Sequence, residues 1–310
     1  MIRHSSKQVS PELFEWLESS SWDGDRTTGK RVSFWGDVWR RFWENKGAVI
    51  GLIIVLLVGI MALLGPAISP HTYYEQRLEH TNEAPSWQFW FGTDDLGRDL
   101  WTRTWYGAGV SLQIALLAAL IDLILGVSYG SISGYFGGRL DLVMQRMLEV
   151  LYGIPTLIVI ILILIVFEPG IVAIALAMSV TGWINMARVV RGQMLTLKTK
   201  EFILAASALG ASHYRILMKH LFPNAMGPVI VMLMFTIPQA IFFEAFLSFI
   251  GLGIRPPEAS LGMLVQQGFQ VLQFSPIQLI IPATVLGLIM LGFNLLGDGL
   301  RDALDPKLRR

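Results

Sequence analysis

GAVIGLIIVLLVGIMALLGPAIS, residues 47–69, carries no charge over 23 positions. A helix rises about 1.5 Å per residue, so such a run reaches across the ~30 Å hydrocarbon core of a bilayer. Residues 1–46 before it are polar and of mixed charge. A cleavable signal needs its apolar stretch close to the start, so the run is expected to stay as a membrane anchor.

Five further stretches have the same character. Residues 107–138 carry one charge, Asp122, and residues 150–167 and 169–187 carry none. Residues 221–243 are uncharged, Glu244 follows, and apolar character resumes to Gly253; the last run is 277–296. The third and fourth are separated only by Glu168-Pro169-Gly170, a turn sequence. Pro155, Pro228, Pro238 and Pro282 would break soluble helices, but a packed bundle can satisfy the freed backbone groups. The count is about six spans in an all-α membrane protein.

Composition agrees. Apolar residues make up 53% and charged residues 15%, against about 25% charged in ordinary soluble domains. Too little charge is present to coat a soluble surface of this length. The net charge of +1 does not point to nucleic acid. The chain has no cysteine, which excludes disulfides, thiolate nucleophiles and cysteine-ligated metals.

Lysine and arginine set the orientation. Six spans place both termini on one side, together with the segment around Arg139 and Arg146 and the loop 188–222. That side holds 20 of the 24 basic residues, and the other holds Arg77, Arg98, Arg103 and Arg255. The positive-inside rule then puts both termini in the cytoplasm. The expected organisation is a cytoplasmic tail over 1–46, a first span at 47–69, an extracytoplasmic loop at 70–106, a membrane core at 107–300 and a short tail at 301–310. Within the tail, 34–43 has an aromatic face (Phe34, Trp35, Val38, Trp39, Phe42, Trp43) opposite Asp37, Arg40 and Arg41. It reads as a helix lying at the membrane interface, or as an elbow packed on neighbouring spans.

Charged residues inside spans are expensive and are functional candidates by default. Asp122 is expected either to make a bundle-facing hydrogen bond or to line a pathway. Glu244 carries the same two readings. Glu149 sits one turn from Arg146 and pairs with it. The group Asp94, Asp95 and Asp99 lacks calcium-loop spacing, and Thr93 or Asp94 reads as the cap of a helix running to Tyr106. The five histidines have no metal-ligand spacing, so no metal site is expected. Residues 24–30, GDRTTGK, fit G-x-x-x-x-G-K, but Arg31 follows where a phosphate loop needs Ser or Thr, and no apolar strand precedes. On the outer side, 259–274 is uncharged and glutamine-bearing, as a vestibule wall would be.

The loop 200–222 has a different texture. In KEFILAASALGASHYRILMKHLFPNA (200–225), Ala205, Ala206, Leu209, Ile216 and Leu217 have helical spacing. Gly210 breaks the run, Ser212 can cap a second short helix, and Pro223 can start the next span. Two short helices with small residues at the bend make either a docking knob or a plain connector.

This stretch resembles the EAA loop of ABC-importer permeases: two alanines, three residues, glycine, then nine residues before I-x-L-P. Ala205, Ala206, Gly210 and Pro223 match; Leu204, His220 and Phe222 depart from the pattern at its Glu, Ile and Leu. The resemblance therefore implies the loop's helical shape rather than an acid-mediated contact. FGTDDLGRDLWTRTWYGAGVSL (91–112), GYFGGRLD (134–141), TGWINMARVVRGQ (181–193), EAFLSFIGLGIRPP (244–257) and FNLLGDGLRDALDPKLR (293–309) are similar to the C-type permeases of oligopeptide and dipeptide importers. Together with the first span they cover roughly 35–310.

The resemblance implies a type I ABC-importer permease fold in a bacterial or archaeal cytoplasmic membrane. It implies a second homologous permease, two ATPase subunits docking around Ala205, Ala206, Leu209, Gly210, His220 and Pro223, an extracytoplasmic binding protein and a peptide substrate. ATP and magnesium would be held by the ATPase partners, with no cofactor or covalent chemistry in this chain. Two other classes compete. A stand-alone channel or secondary transporter would not need a docking loop, and an intramembrane enzyme would need paired carboxylates, a His cluster or a Ser dyad at depth, none of which is visible.

Overall fold

The computed structural model describes residues 34–168 and 170–305. The phosphate-loop look-alike at 24–30 and the ends of both tails lie outside them. Eleven α-helices are described: α1 Phe34–Glu44, α2 Lys46–Ile68, α3 Leu100–Phe136, α4 Gly138–Gly153, α5 Thr156–Val166, α6 Ile171–Leu197, α7 Glu201–Ala208, α8 His213–Arg215, α9 Phe222–Phe249, α10 Leu261–Gln270 and α11 Ile277–Leu304.

Five of these stretches are long and apolar enough to cross a membrane: α2, α3, α6, α8 running into α9, and α11. The expected third span, 150–167, is not one straight helix. Pro155 has no N–H to donate and holds Ile154 extended (φ −85°, ψ 126°), so the chain breaks into α4 and α5, bent by 77°. The 11 residues of α5 reach only about 16 Å, too short to cross alone.

The packing of α3 on α6 shows that the bent pair must still return across the bundle. Gly126 abuts Met186, Gly130 abuts Ala187 and Val190, and Gly134 abuts Arg191 and Met194. The partners rise together along the chain, so α3 and α6 run parallel and α4–α5 must lead back between their opposite ends. The pair counts as one span, giving six. The three glycines, four residues apart, form the small-residue stripe that lets membrane helices approach closely. A Cβ at Gly130 would lie 2.4 Å from the Ala187 carbonyl oxygen.

At the other side of the core α11 packs antiparallel on α2. Gly51 meets Gly292, and Ala48 meets Gly299. Asn45 caps α2 by accepting from Ala48 N and donates to Asp302 at 3.3 Å. The start of α2 and the end of α11 therefore share one end of the bundle. On α1, Val38 and Phe42 are buried beside Ala48, Leu296 and Leu304, while Trp35, Trp39 and Trp43 face outward. Val38 and Phe42 thus pack α1 on its neighbouring helices, as the elbow reading expects.

The second span begins earlier than its apolar run. Asp99, not Thr93 or Asp94, is the N-cap; it accepts from Thr102 N at 3.0 Å, and the helix runs unbroken for 37 residues, past Tyr106 to Phe136. Asp94 instead accepts from Leu96 N and Arg98 N and pairs with Arg98 and with the fully buried Arg103. Arg103 also donates to the Tyr73 carbonyl at 2.9 Å. These contacts tie the segment between α2 and α3 onto the end of the bundle opposite the start of α2 and the end of α11.

Candidate functional site

Two regions carry the candidate residues: a cavity at mid-span and a knob at the end of the bundle that holds the described termini.

The cavity, about 230 Å³, lies among α3, α4–α5, α6 and α9. Its polar lining is Asp122, Tyr152, Thr156, Thr181, Asn185, Thr236 and Gln239. Asp122 is 5% exposed, and its Oδ1 has no hydrogen-bond partner among the described residues. Ser179 lies between α6 and α3, its hydroxyl donating to the Ala118 carbonyl at 3.3 Å. Gly182 packs against the carboxyl so closely that a Cβ there would lie 2.4 Å from Oδ2. Among the described residues, no lysine, arginine or histidine lines the cavity. Arg188 stands over the Tyr152 ring at 4.4 Å, so it is held beside the wall. The mouth is polar too, because Asn185 and Gln239 are exposed at the middle of their helices.

Glu244 does not join this cavity. It is fully buried, and both oxygens are occupied: Ser111 Oγ donates to Oε2 at 2.8 Å and Ser248 Oγ to Oε1 at 2.8 Å. Ser111 Oγ also accepts from Leu261 N at 3.1 Å. The arrangement fastens α9 to α3 and to the start of α10. Of the two intramembrane carboxylates, the structure brings only Asp122 to a cavity.

The knob is built as the spacing predicts at its first half and differently at its second. α7 ends at Ala208, the chain turns at Gly210, whose φ of +80° suits glycine, and Ser212 accepts from Arg215 N to cap α8. There is no separate second helix beyond it. α8 passes through a π turn, Ile216–Leu221, directly into α9. Pro223 supplies the reason, since its ring clashes with the carbonyl four residues back and opens the turn. Ile203, Ile216 and Leu221 are buried against Met186, Val190 and Met194 of α6 and anchor the loop. Ala205, Leu209 and Gly210 are exposed and Ala206 is half-buried, with Leu209 at 89%. Leu204, Tyr214 and Met218 are also exposed. Pro223 faces elsewhere: it lines a separate groove of about 970 Å³ with Gln193, Leu197 and Arg301. His220 is half-buried on the π turn, and its carbonyl accepts from Asn224 at 2.6 Å.

Sequence reasoning missed what joins the knob to the spans. Tyr135, at the end of α3, hydrogen-bonds His213 at 2.7 Å. Arg191 of α6 grips Asp141 of α4 with two bonds of 2.6 Å, and Asp141 also accepts from Ser133. Lys198 donates to the Gly134 carbonyl at 3.1 Å. These partners are distant in sequence, and nothing local advertises them. The polar lining of the cavity did leave a signal: Thr181 and Asn185, and Thr236 and Gln239, are polar pairs at helical spacing inside otherwise apolar runs.

Residues 123–310 match the family of binding-protein-dependent transport system inner membrane components, and residues 33–85 match the N-terminal TM domain of oligopeptide transport permease C. The chain is 48% identical to the dipeptide transport system permease protein DppC of Bacillus subtilis, over 98% of this chain and 95% of that one. It is 46% identical to the oligopeptide transport system permease protein OppC of the same organism, over 98% and 100%. It is 42% identical to OppC of Escherichia coli, over 89% and 92%. Among solved structures, a chain of the MetNI methionine ABC transporter, in inward-facing conformations, superposes with a TM-score of 0.55 at 17% identity, over 64% of this chain and 95% of that chain. That likeness speaks for the fold.

Proposed function

The chain belongs to the binding-protein-dependent transport system inner membrane component family, and from that premise we propose that it forms half of the membrane path of an ATP-driven peptide importer. It is a permease subunit and not a catalytic one. A second homologous permease supplies the other half, two ATPase subunits bind the α7 knob, and an extracytoplasmic binding protein delivers the peptide. ATP and magnesium reside in the ATPases.

The observation that carries this reading is the knob itself. Leu209 is 89% exposed, and Phe202, Leu204, Tyr214 and Met218 of the same loop are exposed with it, a gathering of apolar side chains at a basic end of the bundle that suits a partner surface. Its buried base, Ile203 and Ile216, sits on α6, and His213 is tied to α3. Movement imposed on α7 thus reaches the two helices that wall the cavity. The exposure of Asn185 and Gln239 at the middle of their helices supports the path. Polar side chains at that depth turn from lipid toward protein or water, so this face fits the second permease and the solute. A stand-alone channel has no use for the knob.

The chain has no cysteine, so a single introduced one is unique in it. In membranes holding the whole transporter, Leu209→Cys carrying a thiol-attached photo-cross-linker is expected to link to an ATPase subunit on illumination. Phe274→Cys, 89% exposed at the opposite end, is expected to react only with an impermeant reagent added outside. Labelling of position 209 from outside, or no link to an ATPase, would remove the proposed docking and orientation.

A further inference from the structure

A carboxylate at mid-span normally pairs with a basic group or is closed by hydrogen-bond donors, because an uncompensated charge at that depth is expensive. Glu244 follows that pattern, with serine hydroxyls on both oxygens. Asp122 follows it only in part: the Ser179 hydroxyl is beside the carboxyl, but Oδ1 is unpartnered among the described residues, the residue is only 5% exposed, and it lines the cavity among α3, α4–α5, α6 and α9.

The rest of the wall is rich in oxygen acceptors. Thr236 already donates its hydroxyl proton to the Met232 carbonyl at 3.0 Å, which leaves its oxygen free to accept. Thr181 donates to Thr156 at 3.2 Å, and Asn185 and Gln239 offer amide oxygens at the mouth. Acceptors around one negative charge, with no basic residue among them, suit a guest with several N–H donors and one positive charge. At about 230 Å³ the cavity is smaller than the roughly 300–1,000 Å³ of a site that engulfs a whole small-molecule ligand. Its guest is therefore a terminal group rather than an entire peptide.

We propose that this cavity is a subsite for a protonated primary amine, with Asp122 as its counter-charge and Thr236, Asn185 and Gln239 as its acceptors. The inference rests on the importer reading, in which the amine is the free N-terminus of a peptide in transit. A small free cation of the same chemistry is the other source. Gly182 lets α6 pack directly against this carboxyl, since a Cβ there would lie 2.4 Å from Oδ2.

The test uses the complete transporter in vesicles, with uptake of one peptide compared with its N-acetylated form, for wild type and for Asp122→Asn. Co-purification of all subunits establishes that the variant assembles. Wild type is expected to favour the free-amine peptide, and Asp122→Asn to shrink that preference about tenfold, the scale of one charge-assisted hydrogen bond. The same delivery protein serves both, so the change in preference reports on this chain. If wild type instead needs methylammonium or another small cation for both peptides, and Asp122→Asn removes that need, the subsite stands with a free cation as its guest. An unchanged preference together with no cation dependence in Asp122→Asn overturns the proposal. Failure of wild type to take up any peptide would instead count against the importer reading.

Discussion

Leu209→Asp is expected to lower ATP-driven uptake by about 30-fold or more while the chain still inserts and assembles its bundle. Leu209 is almost wholly exposed, so its loss leaves no cavity in the permease. Its value lies in what it fits, and an apolar anchor at the centre of an interface is commonly worth about 2 kcal/mol or more, which is about 30-fold. An aspartate there adds an unpaired charge to a surface that must lose water. Gly210→Glu attacks the same knob by another route. Nothing lies within 4 Å of a Cβ at this position, but φ is +80°, and a side chain in the left-handed region costs about 1–2 kcal/mol. The turn that presents Leu209 should relax, leaving ATP hydrolysis without matching uptake. Normal coupled uptake in both variants would strip the knob of its role.

Gly130→Val is expected to abolish accumulation of folded protein in the membrane. A Cβ would sit 2.4 Å from the Ala187 carbonyl oxygen and 2.8 Å from Val190 Cβ, and the first of these is backbone that cannot rotate aside. Relief requires α6 to move off α3, which opens the Gly126, Gly130 and Gly134 seam along its length. Overpacking at one site costs about 1–3 kcal/mol, and parting the two helices also forfeits the close packing at Gly126 and Gly134. Gly192→Ala on α6 is the matched control, since nothing lies within 4 Å of a Cβ there. The check is protease resistance and detergent-extracted yield of the two variants; equal yield would mean that α3 and α6 do not pack as described.

The spans were legible because bilayer thickness demands length and apolarity together, and both are written in consecutive residues. Their ends were less so. Hydropathy starts the second span at 107, whereas the helix starts at the Asp99 cap, because helices continue into water wherever local capping and packing support them. The break at Pro155 was foreseeable from its chemistry, yet a bundle can absorb a proline, as α9 does at Pro228 and Pro238. Which outcome holds depends on neighbours. The same is true of Asp122 and Glu244. Each is one acid in an apolar run; the serines at 111 and 248 occupy both Glu244 oxygens, whereas Asp122 keeps one oxygen unpartnered among the described residues. Gly210 and Ser212 spoke for themselves because turn and cap chemistry is local. The Asp141–Arg191 grip and the Tyr135–His213 bond are tertiary, and one sequence does not place them.

The central claim is that this chain is one half of a path opened by ATP. Vesicles containing both permeases and the ATPases, with the binding protein outside, measure it directly. Peptide should accumulate only when ATP is enclosed with the ATPases and the binding protein is present. Uptake driven by a proton gradient alone, with the ATPases left out, would contradict the account.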